Sequence, residues 1–128
     1  MRARALVPAL LLATACTGGG SSFAQPKATA FSPGSCRDLA SPVLALGKDL
    51  HDLGSKAPTK DQAGAIKDAQ TTVRGLLAAA PAELRPAVQK LVTQVGILRL
   101  RTDTDSYDTS LAKDAMTAYQ ELVTTCTS

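Results

Sequence analysis

The residues of this 128-residue chain best equipped for chemistry are its single histidine, His51, and its three cysteines, Cys16, Cys36 and Cys126. A thiol or hydroxyl activated by an imidazole is a familiar nucleophile, but no context here marks one, and no G-x-S-x-G occurs. Zinc needs three or four nitrogen or sulfur ligands, which one His and two mutually paired cysteines cannot supply. His51 adjoins Leu50 on a helical pattern and reads as a partly exposed surface residue; an axial haem ligand would want a more aromatic pocket. The run Asp103-Thr-Asp105-Ser-Tyr107-Asp108, with Asp114 further on, has the outline of a calcium loop. It departs where the ligands count: Tyr107 replaces an oxygen ligand, Asp108 the turn glycine, and Asp114 is too short for the bidentate Glu. Acidic residues leading into a helix N-terminus account for the run. Glu83 and Glu121 form no E-x-x-H pair of the di-iron type, and no Gly-rich loop joins a strand to a helix. Neither an enzyme nor a cofactor or metal is expected.

The cysteines have other uses. The chain opens M-R-A-R and continues with a mostly apolar run from Ala5 to Ala15, the layout of an export signal. The run falls short of the ~20 residues a membrane-spanning helix needs. It ends L-A-T-A-C-T-G-G-G-S-S, and these residues resemble the lipobox of bacterial lipoproteins, with Ala13 where Leu is usual. That resemblance implies removal of residues 1–15 and diacylation (palmitate-type chains) of Cys16, and two chains suffice for stable anchoring. Ala13-Thr14-Ala15 and Ser22-Phe23-Ala24 are also A-x-A-like sites; cleavage after Ala24 would discard Cys16 and release a soluble secreted protein.

The chain has 14 Lys and Arg against 11 Asp and Glu. Two of the cations, Arg2 and Arg4, lie in the signal, so the mature chain is nearly neutral. With Phe23, Phe31, Tyr107 and Tyr119 as its only aromatics, it lacks the basic, aromatic-studded surface of a nucleic-acid binder. Residues 16–34, rich in Gly, Ser, Pro and Ala, read as the lipidated Cys and a flexible tether. Residues 35–128 suffice for one domain of modest core. Cys36 and Cys126 sit at its two ends, and an even pair in an exported chain is expected to be a disulfide.

Within the domain, four helical stripes recur at spacings of three and four. The first holds Cys36, Leu39, Val43, Leu46, Leu50 and Leu53. Ser35 to Asp38 suggests a capping box, Gly54 a stop, and Pro42 either a kink or a start at Ser41. The second follows the capping box Thr59-Lys-Asp-Gln62 and holds Ala63, Ile66, Ala69, Val73, Leu76, Leu77 and Ala80, its small face including Gly75. The third, with Pro86 at its first position, holds Val88, Leu91, Val92, Val95 and Leu98 above Leu84, closed by Arg99 and Arg101. The fourth holds Leu111, Ala115, Ala118, Leu122 and Cys126, flanked by Met116, Tyr119 and Val123. Short connections favour antiparallel neighbours. The expectation is an all-α, up-down-up-down four-helix bundle closed by Cys36–Cys126, because that topology brings the first start and the last end together.

The early and late cysteines, the A-P-A-E-L-R-P turn and the ending A-Y-Q-E-L-V-T-T-C resemble small secreted proteins and lipoproteins of actinobacteria. The resemblance implies an extracytoplasmic location and a helical domain, and no active site. The function expected is that of a membrane-anchored binding module for an envelope protein or cell-wall component. The alternative is a carrier of a lipid, quinone or haem in space beside Gly47, Ala69, Gly75, Gly96 and Met116.

Overall fold

The computed structural model describes residues 23–53 and 55–128. The signal, Cys16 and the expected stop at Gly54 lie outside these residues. A short 3-10 turn at Ala28–Ala30 precedes four helices: α1, Ser35–Asp52; α2, Lys60–Leu77; α3, Arg85–Asp103; and α4, Thr109–Thr127. Each helix packs on its neighbour in sequence, and α1 packs on α4, which closes the four into a ring. No strand occurs among the described residues. Cys36 and Cys126 are bonded, their Cα atoms 5.3 Å apart. The all-helical bundle and its disulfide are as the stripes and cysteine positions imply.

The core is built from those stripes. Leu39, Val43, Leu46 and Leu50 of α1 meet Ile66 and Val73 of α2, Val88, Leu91, Val95 and Leu98 of α3, and Leu111, Ala115, Ala118 and Leu122 of α4, all buried. Burial of each large aliphatic side chain contributes about 1.5–3 kcal/mol. The second helix departs from expectation. Gly75 faces open solvent, Leu76 and Leu77 are half-buried, and the residue sealed into the core beside Ile66 and Val73 is Gln70.

Helix ends follow local chemistry. Thr59 and Gln62 form the full capping box: Thr59 N donates to Gln62 Oε1 at 2.8 Å, and Gln62 N to Thr59 Oγ1 at 3.2 Å. The box expected at Ser35–Asp38 does not form. Gly34 is the N-cap instead, at φ 91°, a backbone conformation that glycine adopts cheaply. Its carbonyl accepts from Asp38 N at 3.0 Å. Helix α1 contains Pro42 in its interior and does not start at Ser41. Helix α2 ends at Leu77, short of Ala80, and Arg85 satisfies the turn by donating to Ala80 O at 3.0 Å and Ala78 O at 3.3 Å. Helix α3 begins at Arg85, so Pro86 is its second residue rather than its first.

The acidic run after α3 is a pair of helix caps. Asp105, at φ 57°, takes the left-handed position that follows a helix. Ser106 N donates to Arg101 O at 2.8 Å and Asp105 N to Thr102 O at 3.2 Å, the two bonds of a Schellman motif. Asp108 then caps α4, accepting from Ser110 N at 2.9 Å. That bond, more than the nearby Arg101 charge, holds the Asp108 carboxyl below the usual carboxylate range.

Two stability measurements check these assignments. Reducing Cys36–Cys126, or replacing both with serine, should lower unfolding free energy by about 4 kcal/mol, read from urea midpoints with and without reductant. Thr59→Ala should cost about 1 kcal/mol; an unchanged midpoint would mean that the capping box carries no stability.

Candidate functional site

Helices α1 and α4 meet along a seam that continues from the disulfide. Gly47, on the buried face of α1, has no side chain, and the ring of Tyr119 from α4 occupies the space. A Cβ at position 47 would fall inside the ring's van der Waals envelope, against Cε1 and Cζ. Tyr119 is thereby buried (3% exposed), although the stripe placed it at the flank. Its hydroxyl reaches Gln25, whose Nε2 donates to it at 2.9 Å and to Leu44 O at 2.8 Å. Burial pushes the Tyr119 phenol above its ordinary pKa, and the Gln25 hydrogen bond partly offsets that.

Gln25 belongs to a strap, residues 23–34, that lies over α1 and α4. These residues fall within the stretch whose composition suggested a tether. Phe31 is 1% exposed, inserted in the core. Arg37 grips the strap from α1, donating to Phe31 O at 2.9 Å and Thr29 O at 3.2 Å. Ser32 donates through N at 2.8 Å and Oγ at 3.0 Å to the carbonyl of Cys126. At the other end, Phe23 stacks on His51, ring centroids 4.3 Å apart and planes within 9°, and tilts against Tyr119 at 6.1 Å. The strap thus converts the lone histidine into a stacking platform. Two of the four aromatics standing in a supposed spacer were the available signal; without a periodicity to assign them to, they could not be placed.

A second polar seam joins α2 and α3. Gln70, 1% exposed, donates to Val92 O at 2.9 Å and accepts from Arg99 Nη1. Gly96 makes room for the carboxamide, since a Cβ there would lie 3.3 Å from Gln70 Nε2. Arg99, expected to serve the helix C-terminus, is drawn inward instead. Beside it opens a cleft of about 230 Å³ with Ile66 and Leu98 in its wall and Lys67 and Asp103 at its edge. Gln70 stands four residues after Ile66 and three before Val73, so spacing alone marked it as inward-facing; its polarity hid it.

Elsewhere the candidates stay apart. Among the described residues no three His, Cys, Asp or Glu side chains gather as a metal site. Glu121 pairs with Lys90 across α3 and α4 at 2.9 Å, half exposed and of little energetic weight. Met116 lines a shallow groove with Leu53, His51 and Lys113. No described helix is long and apolar enough to cross a membrane. In comparisons with known proteins, the chain matches no family model, no curated protein and no solved structure.

The Gly47–Tyr119 contact makes a sharp prediction. Gly47→Ala should destabilise the bundle by about 1–3 kcal/mol through overpacking, and a Tyr119→Leu background should recover part of that loss. Additive effects in the double-mutant cycle would deny the contact. The phenol adds a pH test. A raised folded-state pKa stabilises the protein fully below the ordinary tyrosine value near 10, and the contribution is lost as pH climbs through the folded value. Stability should therefore fall on the alkaline side, and less steeply in Tyr119→Phe, with tyrosinate absorbance reporting the titration.

Proposed function

We propose that this protein is an exported lipoprotein, anchored through acylated Cys16 to the outer face of the cytoplasmic membrane, whose helical bundle acts as a non-enzymatic binding module of the envelope. One observation carries the reading. Cys36 and Cys126 are at bonding distance, so each accounts for the other, and the cysteine left over stands in L-A-T-A-C-T-G-G-G, directly after an export-type leader. A disulfide that closes nearly the whole domain suits an oxidising compartment outside the cytoplasm. The choice of module over carrier draws on the core. The space beside Gly47 is taken by Tyr119 and that beside Gly96 by Gln70, two places where a passenger would otherwise have room. The partner fitting this reading is an envelope protein or a cell-wall component.

The test is the intact mass of the protein drawn from its own membrane in mild detergent. A diacylated chain beginning at Cys16, two hydrogens light for the disulfide, is the expected result. A chain beginning at Gln25 would overturn the anchor, and an added mass released on denaturation would favour the carrier.

A further inference from the structure

The strap sets which end of the bundle can meet a lipid surface. Its Ser32 end is fastened to Cys126, beside the disulfide, and its Phe23 end rests on His51, in the last turn of α1. From Cys36 to His51 the helix rises about 22 Å at 1.5 Å per residue. The strap runs this distance backwards along α1, so the chain leading to Cys16 departs from the end of the bundle opposite the disulfide. Were residues 16–34 all spacer, that chain would depart from the start of α1, at the disulfide end.

Cys16 stands seven residues before Phe23. Seven residues of any conformation reach at most about 25 Å. To bring the disulfide end to the membrane, the spacer would have to double back along α1 at nearly full stretch. The near end needs no such extension.

Resting on the reading of Cys16 as the anchor, we propose that the bundle is held with the α1–α2 and α3–α4 connections against the lipid headgroups. The Cys36–Cys126 end, with the α2–α3 turn, points away from the membrane. The near end is net acidic, with Lys56, Lys60 and Arg101 against Asp52, Asp61, Asp103, Asp105 and Asp108. The orientation therefore comes from where the strap releases the chain and not from attraction to anionic lipid.

The chain has no tryptophan, so one introduced at an exposed position reports its own distance. Ser55→Trp marks the near end and Ala82→Trp the far end, both exposed. Each mature acylated protein, its mass verified, is placed in phosphatidylethanolamine/phosphatidylglycerol vesicles with dansyl-labelled headgroups. Energy transfer in the Ser55→Trp protein should exceed that in the Ala82→Trp protein about threefold or more, because the two ends are separated by a helix length of about 27 Å. The contrast should persist at high salt. It should shrink when Phe23→Ala and Gln25→Ala unseat the strap. Equal or reversed transfer in an acylated protein overturns the orientation alone, as does a contrast indifferent to the strap substitutions. An unacylated mass overturns the anchor and the orientation together.

Discussion

The bond between Cys36 and Cys126 is the constraint to which the rest of the molecule is referred. It joins the second residue of α1 to the next-to-last of α4, so the two helices start their shared seam in a register that packing alone would have to find. A small domain gains most from a crosslink that spans most of its length, since that removes the largest loops from the unfolded ensemble. The same corner receives the strap, because the carbonyl of Cys126 is the acceptor for both donors of Ser32. Covalent closure and the docking of the N-terminal segment thus share one address.

Moving away from that corner, the α1–α4 seam is kept by shape. A residue with no side chain faces the largest side chain of α4, and the phenol fills what the glycine leaves. Burying a tyrosine this deeply requires a partner for its hydroxyl, and the partner comes from outside the four helices, from Gln25. Across the bundle the α2–α3 seam solves the converse problem. A carboxamide sits in the core, and Val92 O and Arg99 satisfy both of its ends. A buried polar group with both ends bonded ties the register of two helices more strictly than an aliphatic one would. The two seams explain why glycines at 47 and 96 are compatible with a filled core.

Helix number, order and inner faces were legible because apolar residues at three-four spacing have few other uses, and because two terminal cysteines must meet. The Thr59–Gln62 box was legible for the same reason: its chemistry is local. What escaped notice depended on contacts between distant positions. Nothing near Gln25 or Phe31 announces a docked segment, since neither lies on a periodic run, and Gly/Ser/Pro-rich surroundings imply a spacer. Gln70 obeyed the spacing of a core residue but not the polarity. Arg99 looked like a helix-end cation until a buried acceptor one helix away redirected it. Ser35 had the type of an N-cap, yet Gly34 could turn the chain onto α1 at a positive φ and took the role. The chemistry of the acidic run was readable as helix-end chemistry, but the division into a left-handed Asp105 and a capping Asp108 depends on backbone angles.

The hydrogen bonds of Gln25 also bear on the proposed removal of a leader. A glutamine inside a chain keeps its carboxamide nitrogen, the atom that here bridges Leu44 and Tyr119. A glutamine at a free N-terminus does not keep it for long. Its α-amine attacks the side-chain amide carbon, a five-membered lactam closes, and the nitrogen departs as ammonia. Cutting after Ala24 would expose Gln25 to that cyclisation and would remove Phe23 from the face of His51 at the same stroke. Under the proposed export, the bond at which the leader is cut would therefore decide more than location: one choice would preserve the clasp on Tyr119, and the other would chemically erase the donor.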